Sequence, residues 1–314
     1  MTNASGTAAR PAPLRIGLLG TGPWAVAAHA PALAAHPDVE FAGVWGRRPE
    51  AAAALAAEHS VPVYGDVDEL FAACDAVAFA LPPDVQAPLA VRAAAAGCHL
   101  LLDKPVATDT GHAREVADAA ERAGVASVVF FTLRFDPGPA GWIESRAALD
   151  GWFTGRAHWL GALFTPGAAP SPYAASPWRR EKGALWDVGP HALSVLVPVL
   201  GEVTAVTAAP GPGDTVHLIL RHASGASATV TLGFTAPEAA AGVGVEFLGE
   251  PGVVAMPDPG GVAGAFAAAL DALVRAVRGG VPHPCDAAFG ARVTEVLAEA
   301  ERQLGKGELG KGER

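Results

Sequence analysis

The sequence holds only three cysteines, Cys74, Cys98 and Cys285, far apart and odd in number. That pattern excludes a disulfide framework and a structural zinc site, so reduced, buried thiols are expected. No spacing of histidines with cysteines or acids marks a metal site. Charged residues make up only 17% of the chain, with no basic run interleaved with aromatics, and the formal net charge is −10. An acidic chain repels phosphate backbones, which excludes nucleic acid as an expected partner. Long apolar runs are missing too. Val188–Leu200 is interrupted by Pro190, His191 and Pro198, and it falls short of the roughly 20 residues that a membrane span needs. Met1–Pro13 has no apolar stretch of the signal-peptide kind. The expectation is a cytoplasmic protein with no membrane contact. No internal repeat is present.

What is present is apolar. Of the 314 residues, 51% are hydrophobic, enough for a sizeable core and a length that suits two domains. Residues 1–13 and 306–314 read as a disordered leader and tail. From 14 to 126 strand and helix patterns alternate. Strands are expected at Leu14–Leu19, Glu40–Trp45, Val61–Tyr64, Ala76–Leu81 and His99–Asp103. The helices between them are Ala25–Ala35, Glu50–His59, Gln86–Ala96 and Gly111–Ala123. That rhythm predicts a doubly wound parallel sheet of the Rossmann type. From 127 to 305 the rhythm changes. Strands at Val128–Phe135, Trp152–Phe164, Val203–Ala208, Thr215–His222, Ala226–Phe234, Val243–Leu248 and Gly252–Ala255 have few helices among them. They predict an α+β domain with an open, mostly antiparallel sheet, closed by helices Ala263–Arg278 and Asp286–Leu304.

Gly20-Thr21-Gly22-Pro23-Trp24-Ala25 is a G-x-G-x-x-A sequence between the first strand and the first helix. Gly20 permits a tight turn, Gly22 lets backbone approach a pyrophosphate, and the helix start offers free N–H groups to it. Thr21, Pro23 and Trp24 complete this cofactor loop. At the end of the second strand, Gly46, Arg47 and Arg48 stand where an NAD site offers an acid. A small residue and two guanidinium groups suit a 2′-phosphate, so NADP(H) is expected in preference to NAD(H).

Further motifs follow in order: Ala80-Leu81-Pro82-Pro83-Asp84, Ala96-Gly97-Cys98-His99, Leu102-Asp103-Lys104-Pro105, and Asp187-Val188-Gly189-Pro190-His191 after Trp178-Arg179 and Gly183-Ala184-Leu185. The series resembles the glucose–fructose oxidoreductase, inositol dehydrogenase and rhizopine-catabolism (Gfo/Idh/MocA) family over roughly Leu14 to Leu304. The resemblance implies hydride transfer on a sugar, a cyclitol or a related hydroxy or keto compound. It places Lys104, Asp187 and His191 on catalytic positions, and Leu81, Pro82, Pro83, Asp103 and Lys104 on cofactor-facing ones. It also implies a homodimer or homotetramer built through the open sheet. The chain departs from the family pattern in three ways: Asp103 replaces a glutamate, Ser194 stands where an acid is usual, and the glycine run before the second motif is reduced to Gly183.

The chemistry agrees with the residues. Oxidising a carbinol requires a proton to leave its oxygen, and histidine titrates near neutral pH, so His191 is the candidate acid/base. A helix beginning at Asp187 would put Asp187 and His191 on one face. Lys104 can donate a hydrogen bond to the reacting oxygen. Arg134, Trp178, Arg179, Arg180 and Lys182 read as a solvated basic segment, the alternative being a receptor for an anionic sugar derivative. Trp152, Phe153 and Trp159 read as packing residues. Two other functions stay open: a non-catalytic NAD(P)- or ligand-sensing protein of the same fold, and a reductase of a dihydrodiol, imine or tetrapyrrole.

Overall fold

Leu14–Leu19 is apolar at nearly every position, and Ile16, Leu18 and Leu19 are fully buried. A strand covered on both faces needs that composition. In the computed structural model, which describes residues 11–309, it is the second strand of a parallel sheet. The strands are β1 (Leu14–Leu19), β2 (Val39–Trp45), β3 (Ala76–Phe79), β4 (His99–Asp103) and β5 (Ser127–Phe130), in the spatial order β2-β1-β3-β4-β5. The order reverses between β1 and β3, so the crevice at their C-terminal ends is the natural ligand site. A π-helical turn at Ala25–His29 leads into α1 (Ala30–Ala35). The remaining helices of this half are α2 (Pro49–His59), α3 (Val67–Ala73), α4 (Pro83–Ala95) and α5 (Thr110–Ala123).

The second half begins with α6 (Pro137–Ala147) and β6 (Trp152–Leu160), then α7 (Pro177–Asp187) and α8 (Gly189–Leu200). The strands β7 (Val203–Pro210), β8 (Val216–His222), β9 (Ser227–Gly233), β10 (Gly242–Gly249) and β11 (Gly252–Ala255) follow. They form one sheet in the order β11-β10-β6-β9-β8-β7, antiparallel except between β6 and β9. Helix α8 packs on β6 and β9. The helical stretch Pro177–Leu200 has the length and apolarity of a membrane span, but 83% of its apolar window is buried inside the protein, where it serves as core. The last two helices, α9 (Val262–Gly279) and α10 (Ala287–Leu309), reach back: α9 packs on β4 and β5, and α10 touches both α5 and β7. All three cysteines are free and buried. Residues 1–10 of the expected leader and 310–314 of the expected tail lie outside the described residues, and α10 continues past residue 305 to Leu309.

Several elements differ from the sequence reading. Val61–Tyr64 is not a full strand but a single bridge, Val63 to Val44, because Pro62 has no N–H to extend the ladder. The strand expected over Val128–Phe135 at the start of the second domain is β5, which pairs in parallel with β4 as the edge of the first sheet and stops at Phe130, where the chain turns into a 3-10 helix at Thr132–Arg134. The strand expected to run to Phe164 ends at Leu160. Helices α3, α6 and α7 have no counterpart in that reading. Pro137 and Pro139 fall in the first turn of α6, where proline is tolerated, and Asp136 caps it by accepting from Gly138 N–H.

One buried glutamine sets the position of the loop after β4. Gln86 of α4 is fully buried. Its Nε2 donates to the carbonyls of Asp103 (2.9 Å), Pro105 (3.2 Å) and Val106 (3.2 Å), and its Oε1 accepts from Asp103 N–H at 2.9 Å. The Lys104–Pro105 peptide within that loop is cis. Gln86→Leu would strand the Asp103 N–H and these carbonyls in a buried place. It is expected to lower unfolding free energy by roughly 2–3 kcal/mol, measured by urea titration, since each stranded polar group costs about 1–3 kcal/mol. A loss under about 0.5 kcal/mol would mean that the loop holds itself.

His29 sits in the core with its ring edge-on to Phe266, 4.2 Å between centroids, and its Nδ1 has no partner. Burial pushes the imidazole down to about 3. An unfolded histidine titrates near ~6.5, so between these values the unfolded chain binds a proton that the folded chain refuses. The stability is fully present above pH ~6.5 and declines as the pH falls toward 3, by about 1.4 kcal/mol per pH unit. In His29→Leu the loss of stability from pH 6.5 to 4.5 is expected to be shallower by about that slope. An unchanged slope would show that the folded protein accepts the proton at His29.

Candidate active site

The crevice is built from backbone first. Gly20, directly after β1, has φ +126°, and a Cβ there would lie 2.3 Å from the Ala80 carbonyl oxygen. Only glycine permits this contact between the ends of β1 and β3. A Cβ at Gly22 would meet nothing within 4 Å, so the space over its backbone is open. Helical structure begins at Pro23, which puts the unsatisfied N–H groups of its first turn at the same place. Such a cradle fits a pyrophosphate. Thr21 packs against Gly46, where a Cβ would come 2.6 Å from the Thr21 methyl. Arg47 lines a cleft with Pro82 and Pro83, whereas Arg48 is exposed at the start of α2. Leu81 is half-buried just before these prolines. Trp24 packs edge-on to Tyr173 of the second half, 6.2 Å between centroids.

A carboxylate clamp lies beside this crevice. Asp187 is buried at the end of α7. Lys104 Nζ donates to its Oδ1 at 2.6 Å and to its backbone carbonyl at 2.6 Å. Arg179 Nε donates to Oδ2 at 2.8 Å. The Arg179 guanidinium also lies over the rings of Trp178 (4.8 Å) and Tyr173 (5.4 Å). The sequence reading put Asp187 and His191 on one helix, and this is corrected: Asp187 ends α7, and His191 lies in α8, which starts at Gly189. Pro190 has no N–H for the next helical bond, and the His191 N–H turns to the Val188 carbonyl at 3.1 Å. The Asp187 carbonyl is thereby left for Lys104.

The charges sort the titrations. Burial pushes the Asp187 carboxyl up, but the charges and hydrogen bonds of Lys104 and Arg179 outweigh it and hold it at about 2. Burial drives the His191 imidazole well below its ordinary range; the Lys104 charge adds to this and Asp187 opposes it. His191 is therefore neutral at neutral pH. Its ring stacks on Trp159, 5.0 Å between centroids and 22° between planes, and its Nδ1 is buried without a partner. Asp103 accepts the Lys104 N–H at 2.8 Å. Burial pushes its carboxyl up to about 6, against the pull of Lys104.

The structure thus brings Lys104, Asp187, His191 and Asp103 together. It adds Arg179, Gln86, Trp159 and Tyr173, to which the sequence reading gave no such place. Strand alternation was the one available signal for Trp159, which falls on the face of β6 that also carries buried Ala157. The basic segment divides. Arg179 is spent on Asp187, Lys182 pairs with Glu301 at 3.1 Å, and Arg180 donates to the Ala174 carbonyl. Arg134 lies elsewhere, donating to the Ser194 carbonyl over the ring of Phe289. Ser194 turns its hydroxyl back to the His191 carbonyl at 2.7 Å. Among the described residues no group of three or more histidines, cysteines and acids is placed to hold a metal ion.

Comparison with known proteins bears on this arrangement. Residues 14–131 match the family described as "Oxidoreductase family, NAD-binding Rossmann fold", and residues 142–255 match the "GFO/IDH/MocA C-terminal domain". The chain is 30% identical over 232 residues to inositol 2-dehydrogenase of Rhizobium meliloti, covering 69% of this chain and 68% of that one. It is 31% identical over 241 residues to D-xylose 1-dehydrogenase (NADP(+)) 2 of Haloferax volcanii, covering 72% and 71%. An uncharacterized oxidoreductase of Schizosaccharomyces pombe is 29% identical over 211 residues, 63% of this chain and only about half (54%) of that protein's length. The fold superposes on a levoglucosan dehydrogenase solved with NADH and L-sorbose, with TM-score 0.81 and 21% identity over 94% of this chain and 98% of that one. By motif, fold and sequence, the chain belongs to the Gfo/Idh/MocA family of NAD-binding oxidoreductases.

Proposed function

We propose that this chain is an NADP(H)-preferring dehydrogenase or reductase acting on a carbinol or carbonyl carbon of a sugar, cyclitol or sugar derivative. The observation that carries this reading is the convergence of Lys104 and Arg179 on Asp187 beside a neutral His191, next to the dinucleotide cradle. The nicotinamide, when bound, exchanges a hydride with the substrate carbon. The residues handle the proton. In oxidation the neutral His191 accepts the proton of the carbinol oxygen, and in reduction it returns it. An ammonium has three N–H donors. Asp187 takes two of those on Lys104, leaving one to hold the reacting oxygen and stabilise negative charge on it. Asp187 fixes the direction of Lys104.

A polyol or sugar substrate is supported by the relatives, named for inositol and for xylose. NADP(H) preference is supported by Arg47, which lines the cleft and makes no ion pair with a described residue. We assign contact between copies, in a homodimer or homotetramer, to the uncovered face of the second sheet, which carries exposed Arg156, His158 and Ile219.

His191→Ala and Lys104→Ala are each expected to lower turnover at least about 100-fold on a polyol that the wild type oxidises, with NADPH binding retained. Wild-type rates in both variants would sink the proton-transfer scheme. Arg47→Ala is expected to weaken NADPH about tenfold, as for loss of one charged hydrogen bond, and NADH little, by nicotinamide fluorescence. Equal weakening of the two would refute the 2′-phosphate role.

A further inference from the structure

We infer that Tyr173 is a positioning residue: its ring braces Arg179 on Asp187 against Trp24 of the dinucleotide turn. The inference rests on the proton-transfer site proposed above and adds a residue to it. Among the described residues the Arg179 side chain makes a single hydrogen bond, from Nε to Asp187 Oδ2 at 2.8 Å. A guanidinium has five N–H donors, and one bond leaves its plane free to turn about the bond axis. Two rings supply the missing restraint. The guanidinium carbon lies 5.4 Å from the centre of the Tyr173 ring and 4.8 Å from that of Trp178. Trp178 is the preceding residue of α7 and moves with Arg179. Tyr173 stands outside the helix, so its support is independent.

Tyr173 is itself held from two sides. It lies in a 3-10 turn, Pro172–Ala175, within the connection from β6 to α7. Ser171 Oγ accepts the Tyr173 N–H at 3.3 Å, and the Ala174 carbonyl accepts from Arg180 Nε at 2.8 Å. The Arg180 guanidinium lies over the Phe164 ring at 5.3 Å, and Phe164 meets Phe234 edge-on at 5.8 Å. These contacts tie the turn to the second half. On the other side Tyr173 meets Trp24, 6.2 Å between centroids and 73° between planes, the geometry of a favourable edge-to-face pair. Trp24 is backed by His29 at 6.1 Å and by Phe130 at 6.4 Å, both in the first half. Tyr173 is the ring that reaches it from the second.

The contacts run in one series from the glycine turn to the reacting groups: Trp24 to Tyr173, Tyr173 to Arg179, Arg179 to Asp187, and Asp187 to Lys104. Trp24 follows Gly22 by two residues, in the first helical turn. A pyrophosphate bound at that turn orders the backbone that carries Trp24. Order at one end of the series then favours order at the other, and such coupling is reciprocal. Tyr173 touches no reacting atom and acts through Arg179.

The test is hydrogen exchange of the Arg179 Nε–H, followed by NMR on the full chain and assigned by its loss in Arg179→Lys, with thermal melts of each variant. Without cofactor this proton is expected to exchange slowly in the wild type, because it is donated to a buried carboxylate. Tyr173→Leu is expected to speed the exchange about fivefold, as for loss of one cation–π contact, and Tyr173→Phe, which keeps the ring, to stay within about twofold of wild type. Trp24→Leu should speed it as well, and combining it with Tyr173→Leu should add little, since the two act in series. NADPH is expected to slow the exchange in the wild type and in Tyr173→Phe but not in Tyr173→Leu. Wild-type exchange in Tyr173→Leu would overturn the inference, as would equal effects of Tyr173→Leu and Tyr173→Phe. Should Tyr173→Leu fail to fold, wild-type exchange in Trp24→Leu would overturn it equally. If the wild type binds no NADPH, the dinucleotide reading fails by itself, because exchange in the unliganded protein still judges the brace.

Discussion

Asp187 joins the two halves of the molecule through one buried carboxylate. Lys104 comes from the loop after β4, Arg179 from the start of α7, and each takes one oxygen at 2.6–2.8 Å. Burying three charges costs several kcal/mol per ion, and only short, well-aimed hydrogen bonds repay it. The clamp meets that condition, because the Asp187 backbone carbonyl takes a second bond from Lys104. Removing either cation would leave a buried charge with half its compensation. The clamp is therefore a constraint on the whole interface: the loop held by Gln86, the break between α7 and α8, and the ring stack over Arg179 all serve its geometry.

The electrostatic result is a separation of roles between neighbouring groups. Asp187 stays ionised because two cations hold it, and His191 stays neutral because it is buried beside one of them. A charged acceptor and a neutral imidazole side by side form the pattern expected where a proton must move. Trp159 contributes a flat, apolar backing to His191 rather than a charge. Ser194 contributes none either, since its hydroxyl is used within α8. The charge near the imidazole is set by Lys104 and Asp187 of the clamp, without the acid that the family pattern puts at position 194.

Much of the first half was legible because a parallel strand buried on both faces must be a short apolar run; four of its five strands were read so, while the fifth, β5, was read as the start of the second domain. The dinucleotide turn was legible because tight turns and close backbone approach demand glycine at set spacings. Lys104, Asp187 and His191 were singled out as a set through their motifs, and the fold brings them near one another. Less was legible where polar groups answer to distant partners. Gln86 looked like an ordinary helix residue, since the carbonyls it binds are 17 to 20 positions away. Helices α6 and α7 were hidden because proline and glycine mark loops unless a tertiary site gives the turn something to cap or cover.

The sequence by itself determined the layered architecture and the glycine turn, and its motifs singled out Lys104, Asp187 and His191, because these depend on local periodicity and on residue types that few backbones tolerate. Tertiary structure alone decided which groups meet. The four-residue spacing of Asp187 and His191 suggested one helix face, but Pro190 removes the N–H that a continuous helix requires, and the chain restarts. The Asp187 carbonyl, which the His191 N–H gives up for that of Val188, is satisfied from 83 residues away by Lys104. No local pattern encodes that contact, because it exists only once two independently formed halves close on the same buried carboxylate.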